Sequence, residues 1–170
     1  MQKLTKYTIF NTKWGYFGLA GVKFALCRTQ LPASSPEKIK AALLKNLPNP
    51  KYDKNLFKTL QQQLTAYFDD CIVDFSPDIP VALDGFSPFA ASVLTACRQV
   101  KFGQTITYGR LAKTVGRPAA ARAVGRIMAK NPIPLIIPCH RVIRTDGGLG
   151  GFSAPGGISL KKKLLSHEQR

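Results

Sequence analysis

A cysteine and a histidine stand side by side in the segment Pro138-Cys139-His140-Arg141-Val142, directly after an apolar run. A thiolate is a nucleophile, and a nearby imidazole that accepts the thiol proton is a common way to generate it. The apolar run over residues 133–137 predicts a buried strand that ends at this pair. The alternative is a buried core thiol beside a surface histidine, and the pair alone does not decide between the two.

A Cys-His pair benefits from a third group that orients the imidazole. The second half of the chain offers three carboxylates for this role, Asp84, Asp146 and Glu168. We expect Glu168 to lie near the end of a helix over residues 159–168. The flexible segment 147–157 precedes that helix and would let it fold back toward the cysteine. A solvated helix end is the alternative, although the helix dipole disfavours a carboxylate there.

Composition and charge limit the class of protein. The chain has 170 residues, 45% of them hydrophobic, which is enough for a folded core. No apolar run is long enough to span a membrane, and the first ten residues lack the apolar region of a signal peptide. We therefore expect no membrane partner and a cytoplasmic location, or a nuclear one in a eukaryote.

The net charge is +16, and residues 84–170 carry 14 basic and three acidic side chains. This excess favours a binder of the nucleic-acid backbone, with membrane surfaces and acidic proteins as alternatives.

The four cysteines are widely spaced and form no C-x-x-C pair: Cys27, Cys71, Cys97 and Cys139. A disulfide framework or a zinc site built from clustered cysteines is therefore not expected. We predict that Cys27 and Cys71 are plain core residues and that Cys97 packs inside a core helix. A metal site gathered from distant residues remains open.

Turn-rich segments between residues 76 and 88 predict a domain boundary. The first domain, residues 1–80, is predicted to be a small α/β support domain with strands over 6–11, 14–19 and 22–27 and helices over 36–47 and 56–68. The second domain, residues 84–170, is predicted to be mainly helical. It would carry the candidate chemistry.

Two short helices in the second domain predict a helix-turn-helix, and hence a winged-helix-like fold. Thr107 is the predicted N-cap of a helix over 108–115, and Pro118 lies in the first turn of a helix over 119–130. A glycine-containing turn separates the two helices. An ordinary helical hairpin is the alternative.

The second of these helices has two contrasting faces. The predicted core face consists of Ala120, Val124 and Ile127, with Met128 at its margin. The opposite stripe consists of Ala119, Arg122, Ala123 and Arg126. Small residues between arginines allow close approach to another surface while offering cations, which fits a narrow groove or contacts that do not read sequence. A solvated helix surface is the alternative, because alanine is also a good helix former.

The second half of the chain resembles the O6-alkylguanine-DNA alkyltransferases, also called methylated-DNA–protein-cysteine methyltransferases. The resemblance runs from Phe86 to Glu168, and more loosely over the first half. Five stretches carry it in the family's order and spacing, namely residues 102–108, 120–125, 131–134, 138–142 and 164–168. Each stretch is weak alone, and the set is specific.

This resemblance implies DNA repair by transfer of an alkyl group from O6-alkylguanine to Cys139, which inactivates the protein after one reaction. It implies that His140 takes the thiol proton through a water and that Glu168 orients His140. Asn131 would lie at the bend that links the DNA-binding helix to the active-site strand. Tyr108 would lie near the flipped nucleotide and donate a hydrogen bond to guanine. No metal or organic cofactor is implied.

The resemblance also implies a partner, double-stranded DNA with O6-alkylguanine lesions. Arg122 would enter the duplex and fill the gap left by the flipped base. The remaining predicted DNA contacts are Ala120, Ala121, Ala123, Gly125, Arg126, Tyr108, Arg141 and Ser153. The predicted protein is a monomer. Cooperativity on DNA and activity on O4-alkylthymine remain open.

Two departures from the family pattern concern the alkyl pocket. Phe152 stands where many members have tyrosine, so that position offers no hydroxyl group, and the loop over 152–157 is longer than the shortest family versions. The preferred size of the alkyl group therefore remains open. The first half contains no histidine, so the histidine zinc site of some members is not expected there.

Two other classes of protein remain as alternatives. A non-catalytic binder of DNA lesions would explain the charge and the paired helices, but such relatives replace the cysteine that this chain keeps. A thiol protease would explain only Cys139 and His140, and it gives no purpose to the charge or to the helix that carries Arg122.

Overall fold

The computed structural model describes residues 4–169. The chain divides into two compact units, Met1–Ala82 and Leu83–Arg170. The first unit combines a mixed sheet with helices, and the second is mainly helical.

A four-stranded sheet with the strand order β3-β2-β1-β4 forms the centre of the first unit. The first three strands are antiparallel neighbours, β1 (Thr5–Thr12), β2 (Gly15–Val22) and β3 (Ala25–Ala33). The third begins later than predicted because Lys23, with a φ of 57°, lies in the turn that separates it from β2. The fourth strand, β4 (Pro50–Tyr52), pairs parallel to β1 and lies between the two predicted helices, where no strand was predicted.

Two helices accompany this sheet, α1 (Pro36–Leu44) and α2 (Lys58–Phe68). The N-cap of α1 is Ser35, whose hydroxyl accepts a hydrogen bond from the amide of Lys38. Cys27 is partly buried against a cluster of Tyr7, Ala20 and Leu43. Cys71 is exposed just beyond α2, where Asp70 turns the chain with a φ of 69°. The prediction that Cys71 is a core residue is therefore wrong.

The second unit contains four helices in its described part, α3 (Pro88–Cys97), α4 (Tyr108–Thr114), α5 (Ala121–Ala129) and α6 (Gly157–Glu168). Two short parallel strands, β5 (Ile106–Thr107) and β6 (Val142–Ile143), tie the start of α4 to the segment that follows a 3-10 turn over Cys139–Arg141. Cys97 is fully buried in α3, as predicted. Over residues 4–169, no helix has both the length and the apolar character needed to cross a bilayer.

The boundaries of α4 and α5 follow from local hydrogen bonds. The Thr107 hydroxyl accepts a bond from the amide of Arg110 at 3.1 Å, which confirms the predicted N-cap of α4. α5 begins at Ala121 rather than at 119, because the amide of Ala120 donates to the carbonyl of Arg117 and closes a turn ahead of the helix. Pro118 lies in that turn and not in the helix.

The core face of α5 also differs from the prediction. Val124 and Met128 are buried, whereas Ile127 is only partly buried. Met128 therefore belongs to the centre of the core face and not to its margin.

The apolar run over residues 133–137 is a buried turn and not the predicted strand. The amide of Ile137 donates to the carbonyl of Ile133 at 2.9 Å, and Leu135 has a φ of 76°. Pro134 cannot donate to a sheet ladder. The Asn131 side chain instead bonds both ends of the turn, because it donates to the carbonyl of Ile137 at 2.8 Å and accepts from the amide of Ile133 at 3.0 Å.

Candidate active site

Cys139 lies at the start of the 3-10 turn and on the wall of a cleft of about 950 Å³. It is 7% exposed, so its sulfur is shielded from bulk water while the cleft still reaches it. The volume falls within the range of pockets that enclose small organic ligands. The other lining residues come from α4, α5 and the loop over 144–153.

The resting state of Cys139 is set by opposing effects. Burial raises the pKa of its thiol, while a hydrogen bond from the Asn131 side chain and the positive charge of Lys161 act to lower it. Burial dominates, so the pKa lies above its ordinary value and the thiol holds its proton at neutral pH. Nucleophilic chemistry at Cys139 therefore needs a base.

The imidazole of His140 is held in a defined tautomer. Its Nε2 lies 2.7 Å from Oε1 of Glu168, and both side chains are almost fully buried. A carboxylate accepts, so Nε2 carries the proton and Nδ1 keeps its lone pair. No polar group of residues 4–169 bonds this Nδ1 atom. Burial lowers the pKa of His140 in spite of the opposing effect of Glu168, so the imidazole is neutral and able to accept a proton.

Glu168 is the buried centre of a polar network. Its carboxylate accepts two bonds from Arg141, from Nε at 2.8 Å and from Nη2 at 2.9 Å, and a third from the amide of Gly103 at 3.3 Å. Burial raises the pKa of Glu168, but the bonds from His140 and Arg141 outweigh burial and hold the pKa well below its ordinary range. The carboxylate stays charged, which explains why an acidic side chain is placed at the C-terminal end of α6.

The structure does not fit the prediction that Arg141 contacts DNA. Its side chain is buried, and besides Glu168 it bonds the carbonyl of Val100 through Nη1 at 2.6 Å. A guanidinium held in this way cannot reach a phosphate without breaking the network. Arg141 is instead the counter-ion of Glu168.

Tyr108 forms another part of the cleft wall, between two glycines. A Cβ atom added at Gly150 would lie 2.7 Å from the Tyr108 hydroxyl, and one added at Gly125 would lie 3.9 Å from its ring. Gly150 also has a φ of 72°, which side chains disfavour. Burial raises the pKa of Tyr108, so its hydroxyl keeps its proton and can donate a hydrogen bond into the cleft.

Lys161 belongs to the site, although it was not among the residues predicted from the sequence. It is fully buried, and its Nζ donates to the carbonyl of Val142 at 2.6 Å and lies 3.4 Å from the Tyr108 hydroxyl. The signal was available in the sequence, because residues 161, 164, 165 and 168 share the i, i+3, i+4, i+7 spacing of a buried helix face. A lysine on such a face requires an explanation, and here its charge favours the thiolate of Cys139.

The predicted DNA contacts divide into two groups. The first group lines the cleft and consists of Ala121, Arg122, Gly125 and Arg126 of α5 and Ser153 of the loop over 144–153, where Phe152 also lines the cleft. Arg122 and Arg126 are exposed. Ala120 and Ala123 are partly buried and do not line the cleft.

A metal site is not assembled in the part of the chain that the structure describes. No group of three or more histidine, cysteine, aspartate or glutamate side chains in residues 4–169 could hold a metal ion.

Comparison with known proteins identifies relatives. Residues 88–170 match the family described as 6-O-methylguanine DNA methyltransferase, DNA binding domain. The methylated-DNA–protein-cysteine methyltransferase of Cricetulus griseus is 34% identical over 174 residues, covering 96% of this chain and 81% of that protein. The protein of the same name from Methanosarcina acetivorans is 40% identical over 116 residues, covering 68% of this chain and 71% of that protein.

Solved structures agree with these relatives. The crystal structure of Mycobacterium tuberculosis O6-methylguanine methyltransferase has a TM-score of 0.78 at 32% identity and covers 98% of this chain and 93% of that chain. The structure of Mycobacterium tuberculosis OGT in complex with DNA has a TM-score of 0.79 at 32% identity and covers 96% of this chain and 92% of that chain. The chain therefore belongs to the methylated-DNA–protein-cysteine methyltransferase family.

Proposed function

We propose that this protein repairs DNA by moving the alkyl group of O6-alkylguanine to the sulfur of Cys139. The main support is the hydrogen bond of 2.7 Å between Nε2 of His140 and Glu168. This bond leaves Nδ1 of His140, the residue next to Cys139, as the atom that can accept a proton. The substrate is double-stranded DNA, the protein acts as a monomer, and its place is the cytoplasm, or the nucleus in a eukaryote. O4-alkylthymine is a second candidate substrate.

The transfer requires a thiolate and a leaving group. His140 removes the proton of Cys139 through a water molecule, and Glu168 and Lys161 support the charges that result. The sulfur lone pair then forms a bond to the alkyl carbon while the carbon–O6 bond breaks and its electrons pass to guanine. Tyr108 donates toward the leaving base, and overall one proton moves from the thiol to guanine. The products are S-alkylcysteine and guanine.

The buried position of Cys139 requires the nucleotide to leave the duplex. An alkyl group on O6 lies inside the base stack, and extrusion costs a few kcal/mol. The cleft has room for an extruded base. Arg122 lines the cleft and is exposed, which supports the proposal that its side chain fills the gap left in the stack. A thioether has no easy reverse reaction, so each molecule acts once.

We assign DNA binding to α4 and α5 as a helix-turn-helix that approaches the minor groove. Small residues on α5, Ala121 and Gly125, alternate with the exposed Arg122 and Arg126 on the wall of the cleft. This pattern allows close approach of the helix backbone and supplies cations without long base-reading side chains. Asn131 follows α5 and holds the turn before Cys139 through its two side-chain bonds. The first unit is assigned a supporting role.

The test is the intact mass of the protein after it is mixed with a duplex that contains one O6-methylguanine. We expect a gain of one methylene mass that maps to Cys139 and saturates at one per protein. Cys139→Ala should show no gain, and His140→Ala should gain the mass more slowly by about 10²–10⁴-fold, the usual contribution of a general base.

Two results would contradict the proposal. Removal of the methyl group by Cys139→Ala would exclude Cys139 as the acceptor. Tight binding to the lesion without any mass change in the parent protein would indicate a lesion binder instead. A duplex with O4-methylthymine, tested in the same way, decides whether that lesion is also a substrate.

A further inference from the structure

The sheet of the first unit ends in an exposed aromatic side chain. Tyr52 belongs to the edge strand β4 and is 60% exposed. Its ring meets the ring of Tyr7, on the neighbouring strand β1, at an angle of 68° with 5.6 Å between the centroids. Tyr7 is buried, so this contact anchors the exposed ring on the core and leaves much of its surface free. Nothing in the chemistry of alkyl transfer uses Tyr52.

Three lysines lie around this ring. Nζ of Lys40, on α1, is 5.8 Å from the centroid of the Tyr7 ring that supports Tyr52. Lys51 precedes Tyr52 in the strand and Lys54 follows it, and both are exposed. Successive side chains of a strand alternate between its faces, so Lys51 lies across the sheet edge from the Tyr52 ring. We call Tyr52, Lys40, Lys51 and Lys54 the β4 surface.

The charge of the first unit is segregated. Residues 38–58 contain six lysines and one acidic residue, Asp53, whereas residues 69–78 contain four aspartates and no basic residue. The carboxylate of Asp53 accepts a bond from Lys6 at 2.8 Å. Among residues 4–169, no carboxylate forms a salt bridge with a lysine of the β4 surface. These lysines therefore repel one another, and a bound polyanion would relieve that repulsion.

We infer that the β4 surface binds a single-stranded nucleic acid, with an unpaired base stacked on Tyr52 and phosphates next to Lys51 and Lys54. Proteins that bind single strands combine cations that follow the backbone with aromatic rings that stack the bases. A duplex keeps its bases inside the stack and offers none to a ring at a sheet edge. An acidic peptide would use the lysines but leave the ring uncovered.

This inference goes beyond the proposed function, because it adds a binding site in the first unit and uses no residue of the cleft. It also does not require alkyl transfer. A stacked base on Tyr52 would hold an unpaired stretch of DNA on the first unit, which until now has only a supporting role.

The experiment uses the full chain and compares affinities for a single-stranded oligonucleotide and for a duplex without lesions. Tyr52→Leu removes the ring, and Tyr52→Phe keeps it without the hydroxyl group. Phe24→Leu is the matched control, because Phe24 is an aromatic side chain that is 88% exposed in the turn between β2 and β3. Thermal unfolding checks that each variant keeps its fold. A second oligonucleotide carries one 5-iodouracil, and the peptides that it photo-crosslinks in the parent are mapped.

We expect a crosslink at Tyr52 in the parent. Tyr52→Leu should bind the single strand about fivefold more weakly or worse, the usual effect of losing one stacked base, and should keep the parent's affinity for duplex. Tyr52→Phe and Phe24→Leu should bind both DNAs as the parent does, because stacking needs only a ring at position 52.

The lysines are tested by the salt dependence of binding to the single strand. Lys51→Gln with Lys54→Gln should flatten the plot of log affinity against log salt by roughly 0.7 for each phosphate no longer neutralised, so by about 1.4 in total. Lys23→Gln with Lys38→Gln removes the same charge from exposed positions outside the β4 surface and should keep the parent's slope.

The inference is overturned if crosslinks map only to the second unit, or if Tyr52→Leu keeps the parent's affinity for the single strand. It is also overturned if only the lysine variant binds more weakly, since the surface would then attract any polyanion, an acidic peptide included. A parent protein that crosslinks at Tyr52 but never gains alkyl mass would leave this inference standing and reject the proposed repair function.

Discussion

Nε2 of His140 and Oε1 of Glu168 are 2.7 Å apart, and the side chains that carry them are each 1% exposed. Arg141, the next residue, bonds the same carboxylate from its other side. One 3-10 turn thus carries the proposed nucleophile, the proposed base and the counter-ion of Glu168 in three consecutive residues, from Cys139 to Arg141. In the proposed mechanism, this arrangement links the position of α6 to the reactivity of the thiol.

Glu168→Gln tests this connection. The neutral amide keeps the size of the side chain but removes the charge that Arg141 and His140 share. We expect a loss of stability of about 3–5 kcal/mol, because a buried guanidinium is left without its partner. We also expect a slower alkyl transfer, because the amide can present its NH₂ group to His140 and change the tautomer. Denaturant unfolding and intact-mass kinetics measure the two effects. Asp70→Asn, at an exposed ion pair of the first unit, is the control and should change neither.

The same carboxylate predicts a pH dependence of stability. The pKa of Glu168 is held below its unfolded-state value of about 4.3, so its stabilising contribution is complete above that pH and is lost as the pH falls toward the folded-state value. We expect the parent to lose stability between about pH 5 and pH 3 more steeply than Glu168→Gln does. Parallel curves of unfolding free energy against pH for the two proteins would show that Glu168 is not stabilised as a carboxylate.

The sequence predicted much of the site because its signals are local. A helix was predicted over residues 159–168 with Glu168 near its end, and the resemblance to the alkyltransferases made contact of Glu168 with His140 a testable expectation. The Thr107 N-cap was equally local, since a side-chain oxygen and an amide three residues later determine it.

The remaining features depend on contacts that a local pattern does not contain. The turn over residues 133–137 was predicted to be a strand because a short apolar run is typical of a buried strand. Its geometry is set by the side chain of Asn131. Arg141 was predicted to contact DNA, which requires an exposed side chain, and charged residues are mostly exposed. Its burial follows from Glu168, which lies 27 residues away in the sequence.

Lys161→Met tests the buried cation. Methionine keeps an unbranched chain in the core but removes the charge that lowers the pKa of the Cys139 thiol. We expect the pH profile of iodoacetamide reaction at Cys139 to move to higher pH and alkyl transfer to slow. The melting temperature should stay the same or rise, because burying an ammonium group without a carboxylate partner costs folding free energy. An unchanged pH profile would show that Lys161 does not support the thiolate.

Arg122→Ala tests the proposed flipping step. The side chain lines the rim of the cleft and is exposed, so its loss should leave the fold intact. We expect repair of a duplex lesion to slow by more than the affinity for duplex falls, because the gap left by the flipped base is no longer filled. Single-turnover kinetics on duplex and on single-stranded DNA separate the two effects. Lys130→Ala is a control for the loss of one charge near the end of α5, and equal duplex rates for Arg122→Ala and the parent would exclude the role.

Gly150→Ala tests the packing of the cleft wall against Tyr108. The new Cβ would lie 2.7 Å from the Tyr108 hydroxyl, so this side chain must move. Gly147→Ala is a matched control, because its φ of 81° carries the same backbone penalty of about 1–2 kcal/mol while nothing lies within 4 Å of the added Cβ. We expect both variants to lose stability and only Gly150→Ala to slow alkyl transfer. If both slow it equally, the strain of the loop and not the position of Tyr108 controls the reaction.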